Sequence, residues 1–182
     1  MRSRTPFALR SLAALAAAGA LALGACRAAD VPVQSEPMQS KDTRQAAQEF
    51  VPEVEALIEA LGLDREKFSV RANRCEGTEG EQRDDIYTIW VGLRGVARGA
   101  DAASALEQAH ARWRAAGWEI TRFRRLDNGG VNVAATDPAT GNRYALDSGF
   151  EPPPQRYVVG TFNTPCYRDP SGRAPFGDLG TP

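Results

Sequence analysis

The sequence predicts an α+β domain in which two helices pack on one face of a mostly antiparallel sheet of four to five strands. Two stretches carry apolar residues at helical spacing. The other apolar stretches are short, alternate in polarity and are separated by turn residues. A pair of cysteines, Cys75 and Cys166, also predicts one disulfide, which would join the end of the first strand to the end of the last.

Residues 1–25 have the features of an export signal. Residues 1–10 hold three arginines and no acid, and an Ala/Leu-rich run of 13 residues follows at 11–23. That run is shorter than the ~20 residues that a membrane-spanning helix needs. It leads into Leu-Gly-Ala-Cys at 23–26, which resembles the lipobox of bacterial lipoproteins. The resemblance implies that Cys26 carries a diacylglyceryl group and begins the mature chain; an ordinary signal peptide with an incidental cysteine is the alternative.

Removal of the signal leaves 157 residues, which suits one domain. The mature part keeps 19 basic side chains (22 less the three in the signal) against 23 acidic ones, a net charge of −4. This charge argues against a nucleic-acid-binding protein. Residues 26–40 predict a flexible tether, residues 41–168 the single domain, and the Gly- and Pro-rich residues 169–182 a disordered tail.

Cysteine usage supports the disulfide. Cys75 and Cys166 form an even pair in an exported protein, and an oxidising compartment favours their pairing over two free thiols. The sequence has no CxxC motif and only one histidine, so we predict no metal site.

The first helix is predicted at Thr43–Leu61, where apolar residues recur every three or four positions and Gly62 follows as a cap. Pro52 lies inside this pattern, so either the helix is kinked there or a second helix begins at Val51. The apolar stripe keeps its phase across Pro52, which favours one kinked helix.

The second helix is predicted at Asp101–Ala116, with Asp101 as its N-cap and Gly117 after its end. His110, the only histidine, lies on the flank of the apolar stripe. No nucleophile motif such as G-x-S-x-G accompanies it, so we predict no catalytic role for it.

Alternating apolar residues predict the strands, and Asn128-Gly129 predicts a tight hairpin turn. The acidic segment Glu76–Asp85 is predicted to be a solvated loop, because it lacks the spacing of a calcium loop. The predicted strands are Phe68–Arg74, Ile86–Leu93, Trp118–Asp127, Val131–Thr136, Arg143–Ser148 and Arg156–Thr164.

Five arginines lie close in sequence around the second helix and the strand that follows it. They could bind an anionic head group or a polyanionic wall polymer. A solvated face, with nearby acids as partners, is the alternative. These residues are Arg112, Arg114, Arg122, Arg124 and Arg125.

The layout resembles a group of actinobacterial lipoproteins that have no established activity. The shared features are the lipobox at Cys26, Ile89-Trp90-Val91, Ala116-Gly117-Trp118 and Asn163-Thr164-Pro165-Cys166. The resemblance implies no catalytic residue and no cofactor.

Together these features predict a protein anchored by lipid on the extracytoplasmic side of the cell membrane. We expect a binding or interaction module for an envelope protein or an anionic polymer, without nucleic acid or cofactor. The sequence shows no catalytic constellation, so an enzyme is not predicted. The alternatives are an envelope hydrolase that uses carboxylates such as Glu119 or Asp147, and a structural or assembly factor for other envelope proteins.

Overall fold

The computed structural model describes residues 38–76, 80–99, 101–150 and 154–180. They form an α+β domain with two helices, an eight-stranded sheet and one disulfide. The fold class is confirmed, but the predicted four to five strands are too few. The export signal, Cys26 and the tether as far as residue 37 lie outside the described residues. No described helix is both long enough and apolar enough to cross a membrane.

The sheet orders its strands β3-β4-β5-β6-β2-β1-β8, and β7 also pairs with β2. All of these strand pairs are antiparallel. The helices are α1 (Thr43–Ala60) and α2 (Ala102–Ala115). The strands are β1 (Leu63–Glu76), β2 (Gln82–Ala97), β3 (Glu119–Arg125), β4 (Val131–Thr136), β5 (Arg143–Asp147), β6 (Tyr157–Asn163), β7 (Tyr167–Arg168) and β8 (Gly177–Asp178).

Helix α1 is one continuous helix that contains Pro52, so a break at Val51 does not occur. It begins where the carboxylate of Asp42 accepts hydrogen bonds from the amides of the second and third helical residues, both at 3.0 Å. Pro52 is exposed, while Phe50 and Val54 on the apolar stripe are buried. Burial of this stripe against the sheet stabilises the helix even though Pro52 removes one backbone donor.

Strands β1 and β2 are both longer than predicted. β1 begins at Leu63 rather than Phe68, and β2 begins at Gln82 within the segment predicted to be an acidic loop. Cross-strand pairing continues from Leu63–Ala97 to Glu76–Gln82 through two register shifts. Leu63 is buried, but residues 64–67 and 82–85 are polar and mostly exposed, so only their backbone pairing identifies them as strand.

Residues 169–180 differ from the disordered tail that we predict. Strand β8 pairs with β1 and covers part of that edge of the sheet. Ala174 is 4% exposed, and the guanidinium of Arg74 lies 4.5 Å from the ring centroid of Phe176. Asp169 is 3% exposed and contacts the start of α1. Apolar burial and hydrogen bonding therefore order this segment despite its Gly and Pro content.

The core lies between one face of the sheet and the two helices. It includes Val91 of β2, Val133 of β4 and Phe162 of β6, together with Val54 of α1 and Leu106 of α2. The disulfide between Cys75 and Cys166 is confirmed, with Cα atoms 6.1 Å apart. It joins the end of β1 to the segment between β6 and β7, which fixes the β1–β2–β6 region.

Candidate ligand-binding face

The sheet face opposite the helices, which we call the open face, carries a row of small side chains. Direct cross-strand partners form this row across β4, β5, β6, β2 and β1, and we call it the small-residue row. Its members are Ala134, Ala145, Thr161, Gly92 and Ser69. Both described helices pack on the other face; within the row, Thr161 and Ser69 are exposed, Ala145 and Gly92 are half-buried, and Ala134 is buried.

Longer polar and aromatic side chains border the small-residue row on both sides. The same cross-strand register places one flanking row at Thr136, Arg143, Asn163, Trp90 and Arg71. It places the other at Asn132, Asp147, Val159, Arg94 and Lys67. The outcome is a shallow trough that runs across the strands.

The indole of Trp90 lies over the backbone of Gly92. A Cβ atom added at position 92 would overlap this ring, so glycine is the residue that allows the ring to lie against the sheet. Trp90 is half-buried and therefore keeps part of its aromatic surface available to a ligand.

Two open depressions lie side by side on this face. The first has a volume of about 410 Å³ and is lined by Ala134, Ala145, Arg143, Thr161 and Asn163, among others. The second has a volume of about 390 Å³ and is lined by Arg94, Phe150, Tyr157 and Val159. Strand β6 contributes to both depressions, with Thr161 and Asn163 in the first and Tyr157 and Val159 in the second.

Aromatic side chains give the second depression an apolar character. Phe150 is 59% exposed, which is unusual for a large apolar side chain. The guanidinium of Arg94 lies 4.5 Å from the ring centroid of Tyr157, and its Nε atom lies 3.1 Å from Glu66. Arg94 is therefore held by an ion pair and a cation–π contact.

Several cations on the open face have no partner. Among the described residues, no hydrogen bond, ion pair or cation–π contact is made by the side chains of Lys67, Arg71, Arg124 and Arg143. In contrast, the carboxylate of Asp147 accepts hydrogen bonds from Asn132 Nδ2 at 2.9 Å and from the Gly149 amide at 2.8 Å. The positive groups are thus available for an added anion, whereas this acid is already hydrogen-bonded.

The arginines that are clustered in the sequence do not form one surface. Arg122 and Arg124 lie on the open face, opposite Ala134 and Asn132. Arg125 instead pairs with Glu107 of α2, at 2.7 Å between Nε and Oε1. Of the two α2 arginines, Arg112 donates to the Ala60 carbonyl at 3.1 Å and Arg114 is exposed. The cluster is therefore divided between the two sides of the sheet.

Sequence reasoning missed Arg71, Arg143 and Trp90 as members of this face. Strand alternation already places Trp90 and Gly92 on the same side of β2. The register between strands that are distant in the sequence brings the other two residues into line with Trp90, and no local pattern shows that register.

His110 lies on the helix side, where its ring stacks on Phe123 with centroids 3.8 Å apart and planes 9° apart. Burial, then the positive charges of Arg114 and Arg125, lower the pKa of His110, so the neutral form stacks at neutral pH. In the part of the chain that the structure describes, no three His, Cys, Asp or Glu side chains form a group that could hold a metal ion.

No protein-family model, no curated protein and no solved structure matches this chain.

Proposed function

We propose that this protein is a lipid-anchored binding module on the extracytoplasmic side of the cell membrane, and that its ligand binds the open face of the sheet. The observation that carries the proposal is the small-residue row, which crosses five strands beside cations that have no partner among the described residues. The lipobox at Cys26 and the tether after it support the anchored location.

The composition of the row favours a binding role over a purely structural one. Alanine and glycine are depleted from strands because they add little packing across the sheet. Yet Ala134 and Ala145 are direct cross-strand partners in this row, and only Thr161 separates Ala145 from Gly92. Larger side chains at these positions would fill the trough. Ala134, Ala145 and Thr161 therefore keep the floor of the trough low, whereas Gly92 makes room for the Trp90 ring.

The experiment is a site-specific photocrosslink in intact cells. A photoreactive amino acid replaces Thr161, which is exposed in the centre of the small-residue row. The matched control places the same group at Ser104, which is exposed on α2 on the opposite side. We expect an adduct from position 161 and none from position 104.

An adduct that forms equally from both positions, or only from position 104, would contradict the proposal. The adduct also identifies the class of ligand. A discrete protein band would favour an envelope protein that contacts the exposed ring of Phe150. A broad, polydisperse adduct would favour a polymer.

A further inference from the structure

We propose that the ligand of the open face is a linear glycan that carries carboxylate groups. This inference rests on the proposed function, because it names the ligand class for the same face.

Two cations of the open face favour a carboxylate ligand. Arg143 and Arg71 lie in one flanking row, and neither has a partner among the described residues. The mature chain has a net charge of −4, so these cations are not part of a generally basic surface. A guanidinium presents a planar fork of donors that matches a carboxylate, and this geometry favours bidentate binding.

The spacing of the arginines across the sheet favours an extended ligand. Arg122 on β3 and Arg71 on β1 lie at the two ends of six adjacent strands. With strands about 4.8 Å apart, a ligand that reaches both arginines is about 24 Å long. The two depressions are open, and both are lined by β6: the first by Thr161 and Asn163, the second by Tyr157 and Val159. This surface fits an extended chain better than a compact molecule.

The side chains between the arginines favour a glycan over other extended anions. Between the arginines lie Asn163, with both donor and acceptor groups, and the half-buried indole of Trp90. A sugar ring offers an apolar C–H face for an aromatic ring and hydroxyl groups for amides and hydroxyls.

A peptide and a membrane surface fit this face less well. Peptides commonly add to the free edge of a sheet, and here the backbone groups of the central strands are already paired on both sides. A flat bilayer would meet the longer side chains of the two flanking rows and could not reach the small-residue row between them.

The test uses the full-length chain in a neutral detergent. The probe is an oligogalacturonate long enough to span the trough, and its fully methyl-esterified form is the neutral control ligand. We expect calorimetric binding of the acid, with the ester at least about tenfold weaker. Arg71→Ala together with Arg143→Ala should weaken binding of the acid by about tenfold to a hundredfold.

The matched protein control removes the same charge from the helix side. Arg44→Ala together with Arg114→Ala changes two exposed arginines on α1 and α2, and it should leave affinity within about twofold. Equal binding of acid and ester, or equal losses in the two double variants, overturns the inference.

Two further outcomes also overturn the glycan assignment. One is failure of the oligogalacturonate to bind while position 161 still crosslinks in cells; the proposed function then stands with another ligand. The other is arginine-dependent binding to vesicles that contain phosphatidylglycerol without binding to the oligogalacturonate, which would identify a membrane surface instead.

Discussion

Asp169 holds the C-terminal segment against the first turn of α1. Its carboxylate accepts hydrogen bonds from the amide and hydroxyl of Thr43 at 3.1 and 2.6 Å, and from the amide and hydroxyl of Ser171 at 2.9 and 2.6 Å. Burial alone raises the pKa of Asp169, but the hydrogen bonds from Ser171 and Thr43 outweigh it and lower the pKa below its ordinary value.

Because the folded pKa is lowered, Asp169 stabilises the fold above the ordinary aspartate pKa of about 3.9, and this contribution is lost as the pH falls through the folded value. We expect Asp169→Asn to lower the free energy of unfolding by about 1–3 kcal/mol at neutral pH. The difference from wild type should narrow below about pH 4. Urea unfolding of both proteins, from neutral pH to below about pH 4, measures this difference in the free energy of unfolding.

Asp178→Asn is the matched control, because Asp178 is an exposed aspartate that accepts a hydrogen bond from the Gly180 amide. It should change the free energy of unfolding by no more than about 0.5 kcal/mol. A difference between Asp169→Asn and wild type that stays constant from neutral to acidic pH would contradict the role of the ionised carboxylate.

Two strand glycines contact aromatic rings for different reasons. A Cβ at Gly160 would lie 2.6 Å from Phe162 Cζ and 3.1 Å from Leu146 Cδ2, and both side chains are fully buried. We therefore expect Gly160→Ala to lower the free energy of unfolding by about 1–3 kcal/mol. Gly92→Ala should cost less, because the half-buried ring of Trp90 can move outward into solvent.

Gly92→Ala should instead weaken oligogalacturonate binding, since the displaced indole no longer lies flat in the trough. Urea unfolding and calorimetry on both variants separate the two effects. The assignment of Trp90 to ligand binding fails if Gly92→Ala changes stability but leaves affinity unchanged.

At the scale of secondary-structure elements, the sequence predicts those helices and turns that are determined by residues close together in the chain. The apolar spacing identifies both helices to within two residues at each end, and Asn128-Gly129 identifies the β3–β4 connection. The polar ends of β1 and β2 carry no such pattern. Strands β7 and β8 have two residues each and exist only because β2 and β1 provide partners.

The candidate site also has a part that local sequence patterns predict and a part that depends on long-range strand pairing. Each strand shows which of its residues alternate outward, so Trp90 and Gly92 could be placed together from the sequence. The small-residue row requires the register of five strands, and β1 and β6 are far apart in the chain. Long-range pairing therefore determines the site, and neither composition nor periodicity reveals it.

The C-terminal segment gives a prediction at this scale. Deletion of residues 174–182 removes β8, the buried Ala174 and the Phe176 ring that packs on Arg74. We expect the free energy of unfolding to fall by about 2–4 kcal/mol. The control deletes only residues 181–182, which lie outside the described part of the chain. If both deletions unfold at the wild-type urea concentration, the packing of this segment contributes no stability.

At the scale of the molecule, the two sides of the sheet have different roles. The helix side contains the core, and several of its arginines form ion pairs, as Arg65 does with Glu55 and Arg125 with Glu107. On the open face, the side chains of Lys67, Arg71, Arg124 and Arg143 have no partner among the described residues, as is also true of Arg44 and Arg114 on the helix side. Ligand binding can therefore change through the open face while the core stays intact, which makes paired variants on the two sides informative.

The three cysteines should separate anchoring from folding. Cys26→Ala is expected to release the protein from the membrane fraction, because no thiol remains to carry lipid. The unfolding free energy of its domain should stay unchanged, because the role proposed for Cys26 is lipid attachment alone. The double variant Cys75→Ser and Cys166→Ser should have the opposite effects. The chain should stay with membranes, but its free energy of unfolding should fall by up to about 4–5 kcal/mol, because the disulfide spans 91 residues. Salt-washed membrane fractionation and urea unfolding measure the two effects, and membrane retention of Cys26→Ala after the wash would contradict lipid anchoring.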